Sequence, residues 1–320
     1  MLTKGVKQLQ TQQQGALWVF TAYVLWGFMP IYWKSLHHVS SGEILVNRII
    51  WAFLLTVLAI LIMGQGKKLL IDFQALWKMQ KQFWSLCAAS FLVTINWFTY
   101  IWSVNHDFIV QASLGYYINP LVSVLLGIIF LKEALNRNQK AAFVLAAVGV
   151  TILTIHYGVF PWISFVLAFT FALYGLIKKH IKLDATRGLA IETAFSVPVA
   201  LLAYGWIFST GDAVIMDTDP LTVFLLILTG IATALPLVFF AKGVPSIPLY
   251  VTGFLQYIAP TMMLIIGVAI YGESFGKFEW LSFAFIWIAL LVFTVPEILR
   301  YVRNKRALIR LQKQESSHQS

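Results

Sequence analysis

Long apolar runs separated by short polar connections make up most of this 320-residue chain. A membrane-spanning helix needs about 20 mostly apolar residues, and ten runs meet that requirement. Their continuous apolar character favours helices, because the strands of a membrane β-barrel would show about ten residues of alternating polarity. The predicted spans are 16–35, 44–63, 83–104, 111–131, 140–157, 160–178, 188–208, 221–242, 248–271 and 279–299. The pattern therefore predicts an all-α, polytopic membrane protein with ten transmembrane helices.

One apolar block of the chain occurs twice. Residues 114–133 read LGYYINPLVSVLLGIIFLKE, and residues 254–273, which lie 140 positions later, read FLQYIAPTMMLIIGVAIYGE. The matched Pro, Gly and Glu residues keep their spacing, which indicates an internal duplication. The offset carries the fourth span onto the ninth, so each copy contains five helices. Because five is an odd number, the second copy enters the membrane from the opposite side, and the sequence predicts two inverted repeats.

Composition and charge set the environment and the orientation. Charged residues make up only 11% of the chain and hydrophobic residues 59%, whereas soluble proteins contain about 25% charged residues. With the N-terminus inside, nearly all of the 23 Lys and Arg residues fall in cytoplasmic segments, as expected from the positive-inside rule. Both termini are therefore predicted to be cytoplasmic. The basic residues lie between the apolar runs and not on one face of a soluble module, so no nucleic-acid partner is predicted.

These patterns divide the chain into four predicted parts. A cytoplasmic N-terminus and a basic cytoplasmic tail flank the two five-helix repeats. The boundaries are 1–15 for the N-terminus, 16–157 for the first repeat, 160–299 for the second repeat and 300–320 for the tail.

Polar and aromatic residues inside the spans are the candidates for a substrate path. A polar side chain in hydrocarbon needs a protein partner or a wet cavity. An intramembrane amide therefore indicates either an interhelical hydrogen bond that fixes packing or the lining of a cavity. Deep aromatic residues and those on the duplicated blocks fit a passage for an amphipathic organic solute. The candidates are Trp26, Asn96, Trp97, Tyr100, Tyr116, Tyr117, Asn119, Tyr174, Gln256 and Tyr257.

Each duplicated block carries a proline near the predicted middle of the membrane, Pro120 in the first and Pro260 in the second. A proline removes a backbone donor and crowds the preceding turn, so each is expected to kink its helix. The kinks either serve packing alone or act as hinges. Their symmetric placement favours a pair of hinges, one in each repeat, for alternating access.

The glycines and glutamates of the two blocks are interpreted as structural. Gly127 and Gly267 are expected to permit close approach of helices. Glu133 and Glu273 fall at predicted helix ends, where the helix dipole opposes a carboxylate. Each glutamate is therefore expected to cap, or form a salt bridge with, a neighbouring loop.

Arg48 and Glu192 are the ionisable residues that lie most clearly inside spans. Each lies about 6–7 Å deep, but in opposite leaflets, so they are not expected to pair. Arg48 either snorkels to the interface or, with Lys34 nearby, makes the outer vestibule attractive to anionic or polar groups. Glu192 is either a structural charge or a proton-linked site, with H+ as the coupling ion.

Motifs of soluble and membrane-embedded enzymes are missing from the chain. The sequence contains no G-x-x-x-x-G-K-[ST] phosphate loop, no H-E-x-x-H zinc helix and no G-x-S-x-G elbow. The single cysteine, Cys87, cannot form an intramolecular disulfide or a cysteine metal cluster. The sequence therefore predicts no catalytic residues, no metal and no cofactor.

Several stretches resemble the RarD-type permeases of the EamA branch of the drug/metabolite transporter superfamily. They include YVLWGFMPIYWK, EILVNRIIWAF, NWFTYIWSVN, FAFIWIAL and the two duplicated blocks, and the resemblance covers nearly all of the chain except its ends. It implies a ten-helix carrier of two inverted repeats in a bacterial inner membrane, with the path between the halves. The family name is tied to sensitivity to chloramphenicol.

Together these observations predict a secondary carrier that moves a small organic metabolite or amphipathic drug-like solute, in the outward direction, by alternating access. Its predicted partners are the lipid bilayer and the small-molecule substrate. The alternative is a membrane protein that does not transport, either a lipid-interacting scaffold or an embedded enzyme. Saturable, substrate-selective flux in proteoliposomes separates the two, since a scaffold gives none.

If the two intramembrane charges act in transport, Arg48→Ala and Glu192→Gln should each lower it. The measurement is flux in variants that still reach the membrane. Unchanged flux in both variants would remove both residues from the mechanism.

Overall fold

The computed structural model of the protein describes residues 2–105, 109–158, 162–210, 220–272 and 276–317. Within these ranges the chain forms twelve α-helices, a short 3-10 helix at Val244–Ser246 and no strand. The α-helices are α1 (Leu2–Lys34), α2 (Ser41–Ile62), α3 (Gly66–Lys78), α4 (Gln80–Asn105), α5 (Ile109–Leu131), α6 (Arg137–Tyr157), α7 (Trp162–His180), α8 (Ala185–Thr210), α9 (Pro220–Gly243), α10 (Leu249–Gln256), α11 (Ile258–Tyr271) and α12 (Lys277–Ser317).

Ten segments of the described chain are long and apolar enough to cross a membrane. Eight of them lie in single helices. The eighth along the chain, Pro220–Ser246, combines α9 with the 3-10 helix, and the ninth, Leu249–Tyr271, combines α10 and α11. Each segment overlaps one of the ten predicted spans. The predicted fold class, an all-α polytopic membrane protein, is therefore confirmed.

Helical structure also extends beyond the predicted spans. Helix α1 begins at Leu2 and α12 continues to Ser317. A helix that is already formed extends at little cost through good helix formers such as Gln, Lys and Leu. The apolar-run criterion detects only the part of such a helix that lies in the bilayer.

Helix α3 lies in the connection between the second and third spans and was not predicted. Its 13 residues are too few to cross a bilayer, so the search for long apolar runs does not detect it. Leu76 of α3 is buried with Phe83 and Leu86 of α4. Asp72 of α3 forms an ion pair with Arg187 of α8. The short helix is thus attached to both halves of the chain.

Helices of the first half (2–157) and the second half (162–317) pack in corresponding pairs. Helix α5 packs against α7, and the α10–α11 pair, which holds the second copy of the duplicated block, packs against α1. In the same way the contact of α4 with α7 corresponds to the contact of α9 with α1. The contact of α2 with α9 corresponds to the contact of α8 with α4. Three further pairs, α2 with α8, α5 with α10 and α6 with α12, join helices that hold equivalent places in the two halves. The halves therefore form one bundle.

The outer surface of this bundle is apolar. Ile62, Ile155 and Leu202 are each more than 70% exposed, and they are three of many exposed large hydrophobic side chains. Contiguous apolar surface of this extent is rare on soluble monomers. It is the surface that a bilayer covers.

The two symmetric prolines have different effects on their helices. Helix α5 is continuous through Pro120, whereas the ninth span is interrupted at Tyr257, three residues before Pro260. Pro260 has no backbone N–H to bond the carbonyl of Gln256, four residues earlier. The interruption falls at the residue next to that carbonyl, where the amide of Tyr257 instead bonds the carbonyl of Phe254 at 3.3 Å.

Glu133 joins the end of α5 to the start of α10. Its carboxylate accepts hydrogen bonds from the amides of Leu249 and Tyr250 at 2.7 and 3.0 Å, and it lies 3.4 Å from the ammonium group of Lys179. A carboxylate at a helix N-terminus is favoured by the free amides and the dipole of that helix. The expectation that Glu133 caps or bridges to a neighbouring segment is therefore confirmed. Glu273 lies outside the described residues.

Gly127 provides the space that Glu133 occupies. A Cβ at Gly127 would lie 2.6 Å from the Glu133 carboxylate and 3.3 Å from Cβ of Leu249. The close approach predicted for this glycine is therefore to Glu133 and to the first residue of α10.

Helices α2 and α9 approach so closely at Gly230 that no side chain fits. A Cβ there would lie 2.6 Å from the carbonyl oxygen of Trp51. We expect Gly230→Ala to lower the free energy of unfolding by about 1–3 kcal/mol, because the two backbones must separate. Gly205→Ala is the matched control, since a Cβ at Gly205 meets nothing within 4 Å. Thermal unfolding in detergent measures both, and equal midpoints would contradict the close packing.

Candidate functional site

A cavity of about 110 Å³ lies inside the bundle, between the two halves of the chain. It is several times larger than the roughly 10–15 Å³ that one water molecule needs. Its walls come from α1, α2, α4 and α5 of the first half and from α7, α9, α10 and α11 of the second. The lining residues are Tyr23, Trp26, Met29, Pro30, Trp33, Arg48, Asn96, Trp97, Tyr100, Gly115, Tyr116, Asn119, Leu167, Phe171, Ala232, Gln256, Ala259, Pro260 and Met263. We call this space the central cavity.

The central cavity brings together most of the residues that the sequence singled out. Predicted path residues, one predicted hinge and one predicted charge all line it. They are Trp26, Arg48, Asn96, Trp97, Tyr100, Tyr116, Asn119, Gln256 and Pro260. Several other lining residues, among them Trp33 and Phe171, carry no sequence signal that separates them from interfacial or packing aromatics.

Three of the remaining candidates pack between helices outside the cavity lining. Tyr117 contacts Phe283 edge-on, with ring centroids 4.9 Å apart. The hydroxyl of Tyr257 donates to the carbonyl of Tyr117 at 3.3 Å, so these symmetry-related residues meet each other. The carbonyl of Pro120 faces Gly253 of α10, where a Cβ would lie 2.8 Å from it.

The other three candidates outside the lining form two groups, one at the end of α1 and one buried between α7 and α8. The ammonium group of Lys34 lies 3.5 Å from the ring centroid of Tyr271, near the ends of α1 and α11. Tyr174 and Glu192 lie together in a buried cluster below the cavity. The depth of a residue in its span was readable from the sequence, but the face of the helix on which it lies was not.

The three amides of the cavity differ in their partners. Asn96 donates to the carbonyl of Leu167 at 2.8 Å and to the hydroxyl of Thr170 at 2.9 Å, which ties α4 to α7. Gln256 accepts from the hydroxyl of Ser123 at 3.3 Å, which ties α10 to α5. The side-chain oxygen of Asn119 is buried and has no hydrogen-bond partner among the described residues. Asn96 and Gln256 thus fix packing, while Asn119 keeps a free acceptor at the cavity.

A second, larger cavity of about 920 Å³ adjoins the first and shares Trp33, Arg48 and Tyr100 with it. Its other walls come from the loop between α1 and α2 and from the end of α8 near Trp206. In the predicted orientation these segments lie on the outer side of the membrane. We call this space the outer vestibule, and Arg48 lies at the junction of the two cavities.

Aromatic rings fill the other end of the central cavity. Tyr23, Trp26, Phe171, Tyr174 and Phe240 form a cluster with ring centroids 5.4–6.1 Å apart. They come from α1, α7 and α9, in the half of the bundle where α7 and α9 carry the basic residues of their last turns. The cluster closes the cavity toward the predicted cytoplasm.

Directly beyond these rings lies a buried ion pair. The ammonium group of Lys178 is 2.6 Å from the carboxylate of Glu192, and the two side chains are 3% and 1% exposed. Sequence reasoning placed Glu192 inside a span but did not identify its partner, because Lys178 falls at the end of the sixth predicted span. A buried acid needs a counter-charge, and a basic residue at the same end of a neighbouring span was the available signal.

A bundle of membrane-spanning helices that encloses a cavity between its two halves is an architecture typical of membrane transporters. Comparison with known proteins agrees. The EamA-like transporter family matches residues 13–155. The uncharacterized transporter YojE of Bacillus subtilis is 45% identical over 89% of this chain and 95% of its own.

The protein RarD of Escherichia coli is 38% identical over 92% of this chain and 98% of its own length. A crystal structure with 17% sequence identity has a TM-score of 0.64 over 88% of this chain and 97% of that chain, which shows the shared fold. The chain therefore belongs to the EamA-like transporter family and is a RarD-type permease. It is a multi-pass membrane transporter of bacterial type.

The Lys178–Glu192 pair gives a prediction about stability. Glu192→Gln or Lys178→Met leaves one buried charge without its partner, and each should lower the free energy of unfolding by about 3–5 kcal/mol. The double variant Lys178→Met/Glu192→Gln removes both charges and should recover most of that loss. Thermal unfolding in detergent measures the three variants. A double variant as unstable as the sum of the two single variants would contradict the ion pair.

Proposed function

We propose that this transporter is a secondary carrier that moves a small organic metabolite or an amphipathic drug-like solute by alternating access. The observation that carries the proposal is a central cavity built by both halves, joined to an outer vestibule and closed at the other end by aromatic rings. The function of a scaffold does not require an internal cavity of this kind. The aromatic and amide lining suits an organic solute with an apolar body and a few polar groups.

The two halves act as inverted five-helix repeats in this proposal. The corresponding helix pairs, such as α4 with α7 and α9 with α1, support it, because a two-fold relation between the halves produces such matched contacts. Pro120 and Pro260 are the proposed hinges. The interruption at Tyr257 supports a hinge in the second half, since it lies beside the cavity residues Gln256 and Pro260.

The closed end of the cavity is the proposed cytoplasmic gate. Glu133 of the first half is bound there to Lys179, Leu249 and Tyr250 of the second half. Opening to the cytoplasm must separate these contacts. The termini lie at this end in the proposed orientation, in a bacterial cytoplasmic membrane.

Proton coupling is assigned to Glu192 in this proposal. Its carboxylate is buried with Lys178 and is in electrostatic contact with the hydroxyl of Tyr174, which stacks on Phe240 of the aromatic cluster. Protonation of Glu192 would weaken its attraction to Lys178 directly beneath the closed end of the cavity. H+ is therefore the proposed coupling ion.

Counterflow in proteoliposomes tests the carrier. Vesicles loaded with members of a panel of metabolites and antibiotics, chloramphenicol included, should exchange at least one of them saturably. Ala232→Phe adds a ring to the cavity wall and should reduce this exchange by about tenfold or more, since a cavity group excludes the solute that it displaces. Ile231→Phe, at the neighbouring and outward-facing position, is the matched control and should exchange normally. Equal exchange in both variants would place the path elsewhere.

A further inference from the structure

Arg48 is a buried cation with no carboxylate partner in the part of the chain that the structure describes. Its side chain is only 9% exposed, and no acidic group of the described chain forms an ion pair with it. Lys178, the other buried basic residue among those described, has its carboxylate at 2.6 Å. A buried charge is costly unless it is paired. Of the two buried bases among the described residues, Lys178 has a carboxylate partner and Arg48 does not.

The guanidinium of Arg48 retains donors for a ligand. A guanidinium has five N–H groups, and one of them, on Nε, donates to the hydroxyl of Thr233 at 3.1 Å. The terminal Nη groups have no acceptor among the described residues. Because Arg48 lines both the central cavity and the outer vestibule, these donors adjoin space that a solute can reach.

Aromatic rings surround the guanidinium of Arg48. They hold it in place and indicate which chemical groups the rest of a ligand would carry. Its guanidinium carbon lies 4.7 Å from the ring centroid of Trp33 and 4.7 Å from that of Trp97. These cation–π contacts orient the group but leave its fork of donors without an anion. Tyr100 and Tyr116, whose rings are 5.6 Å apart, lie within electrostatic range of the guanidinium and line the same cavity.

A planar guanidinium surrounded by aromatic rings matches one kind of solute. The fork of N–H donors binds a carboxylate through two parallel hydrogen bonds. The rings of the lining cover an apolar or aromatic body. Arg48 is the only cation among the described residues that line the cavity, since Lys34 lies over Tyr271 instead. The match is therefore to a solute with a single negative charge.

We propose that Arg48 binds the carboxylate of the transported solute, and that the substrates of this carrier are small organic monoanions with an apolar or aromatic body. The inference rests on the carrier function proposed above. It assigns Arg48 as a substrate-binding residue and Trp33 and Trp97 as the residues that position it.

The test compares two probes of nearly equal shape, 3-phenylpropionate and its uncharged amide 3-phenylpropionamide. Binding to the full-length protein in nanodiscs is measured by calorimetry at constant ionic strength. The protein should bind the carboxylate roughly tenfold to a hundredfold more tightly than the amide, as expected for a hydrogen bond to a charged group. Equal affinities of the unsubstituted protein for the two probes would overturn the proposal. Failure to bind either probe would overturn it as well.

Variants then assign the preference to Arg48. Arg48→Gln should abolish it, and Arg48→Lys should keep part of it, because a lysine is a point charge without the fork of donors. Lys277→Gln is the matched control: it removes one positive charge from an exposed residue outside the cavity and should leave the preference unchanged. A preference that persists in Arg48→Gln would show that Arg48 is held by the two tryptophans as a structural cation.

Counterflow of the same two probes separates this inference from the carrier proposal. If the carboxylate binds through Arg48 but is not exchanged across the membrane, the anion site stands and the carrier proposal fails. If the acid and the amide are exchanged equally well, the carrier stands and the anion site fails.

Discussion

A charge inside a bilayer has no water around it, and this constraint determines where the interior polar groups of this protein lie. The chain meets it in two ways. Lys178 and Glu192 neutralise each other beyond the closed end of the cavity. Arg48 is instead held by Thr233 and two tryptophan rings at the junction of the cavity and the vestibule, with donors left over. The Lys178–Glu192 pair suits a contact that holds two helices together. The arrangement of Arg48 suits a site that binds an anion.

The two ends of the bundle differ in how their polar groups are paired. At the closed end, Glu133 satisfies the first amides of α10 and the ammonium group of Lys179, so one carboxylate joins the two halves. At the other end the outer vestibule lies between α8 and the loop that joins α1 to α2. Under the proposed mechanism the protein alternates between conformations open to opposite sides of the membrane. The contacts of Glu133 must therefore be strong enough to keep the two halves together in one conformation and weak enough to break in the other.

The two related copies of the duplicated block differ in local structure. Helix α5 passes through Pro120 without interruption, while the equivalent span is divided at Tyr257 before Pro260. A carrier with inverted repeats requires such a difference, because identical conformations of the two repeats would open both sides of the membrane equally. The free oxygen of Asn119 and the bonded side chain of Gln256 show the same asymmetry at the cavity.

The sequence by itself determined the ten spans, the all-α fold and the family, because the transfer of an apolar run into a bilayer depends on the run and not on its neighbours. It also identified most of the cavity residues, since intramembrane polar and aromatic groups are few. Only the tertiary structure decided that Tyr116 lines the cavity while Tyr117 packs against Phe283, because the rotation of a helix about its axis is set by its neighbours. In the same way it decided that Glu192 pairs with Lys178 and that Arg48 contacts Thr233 and no acidic group of the described residues, since pairing depends on which helices come into contact.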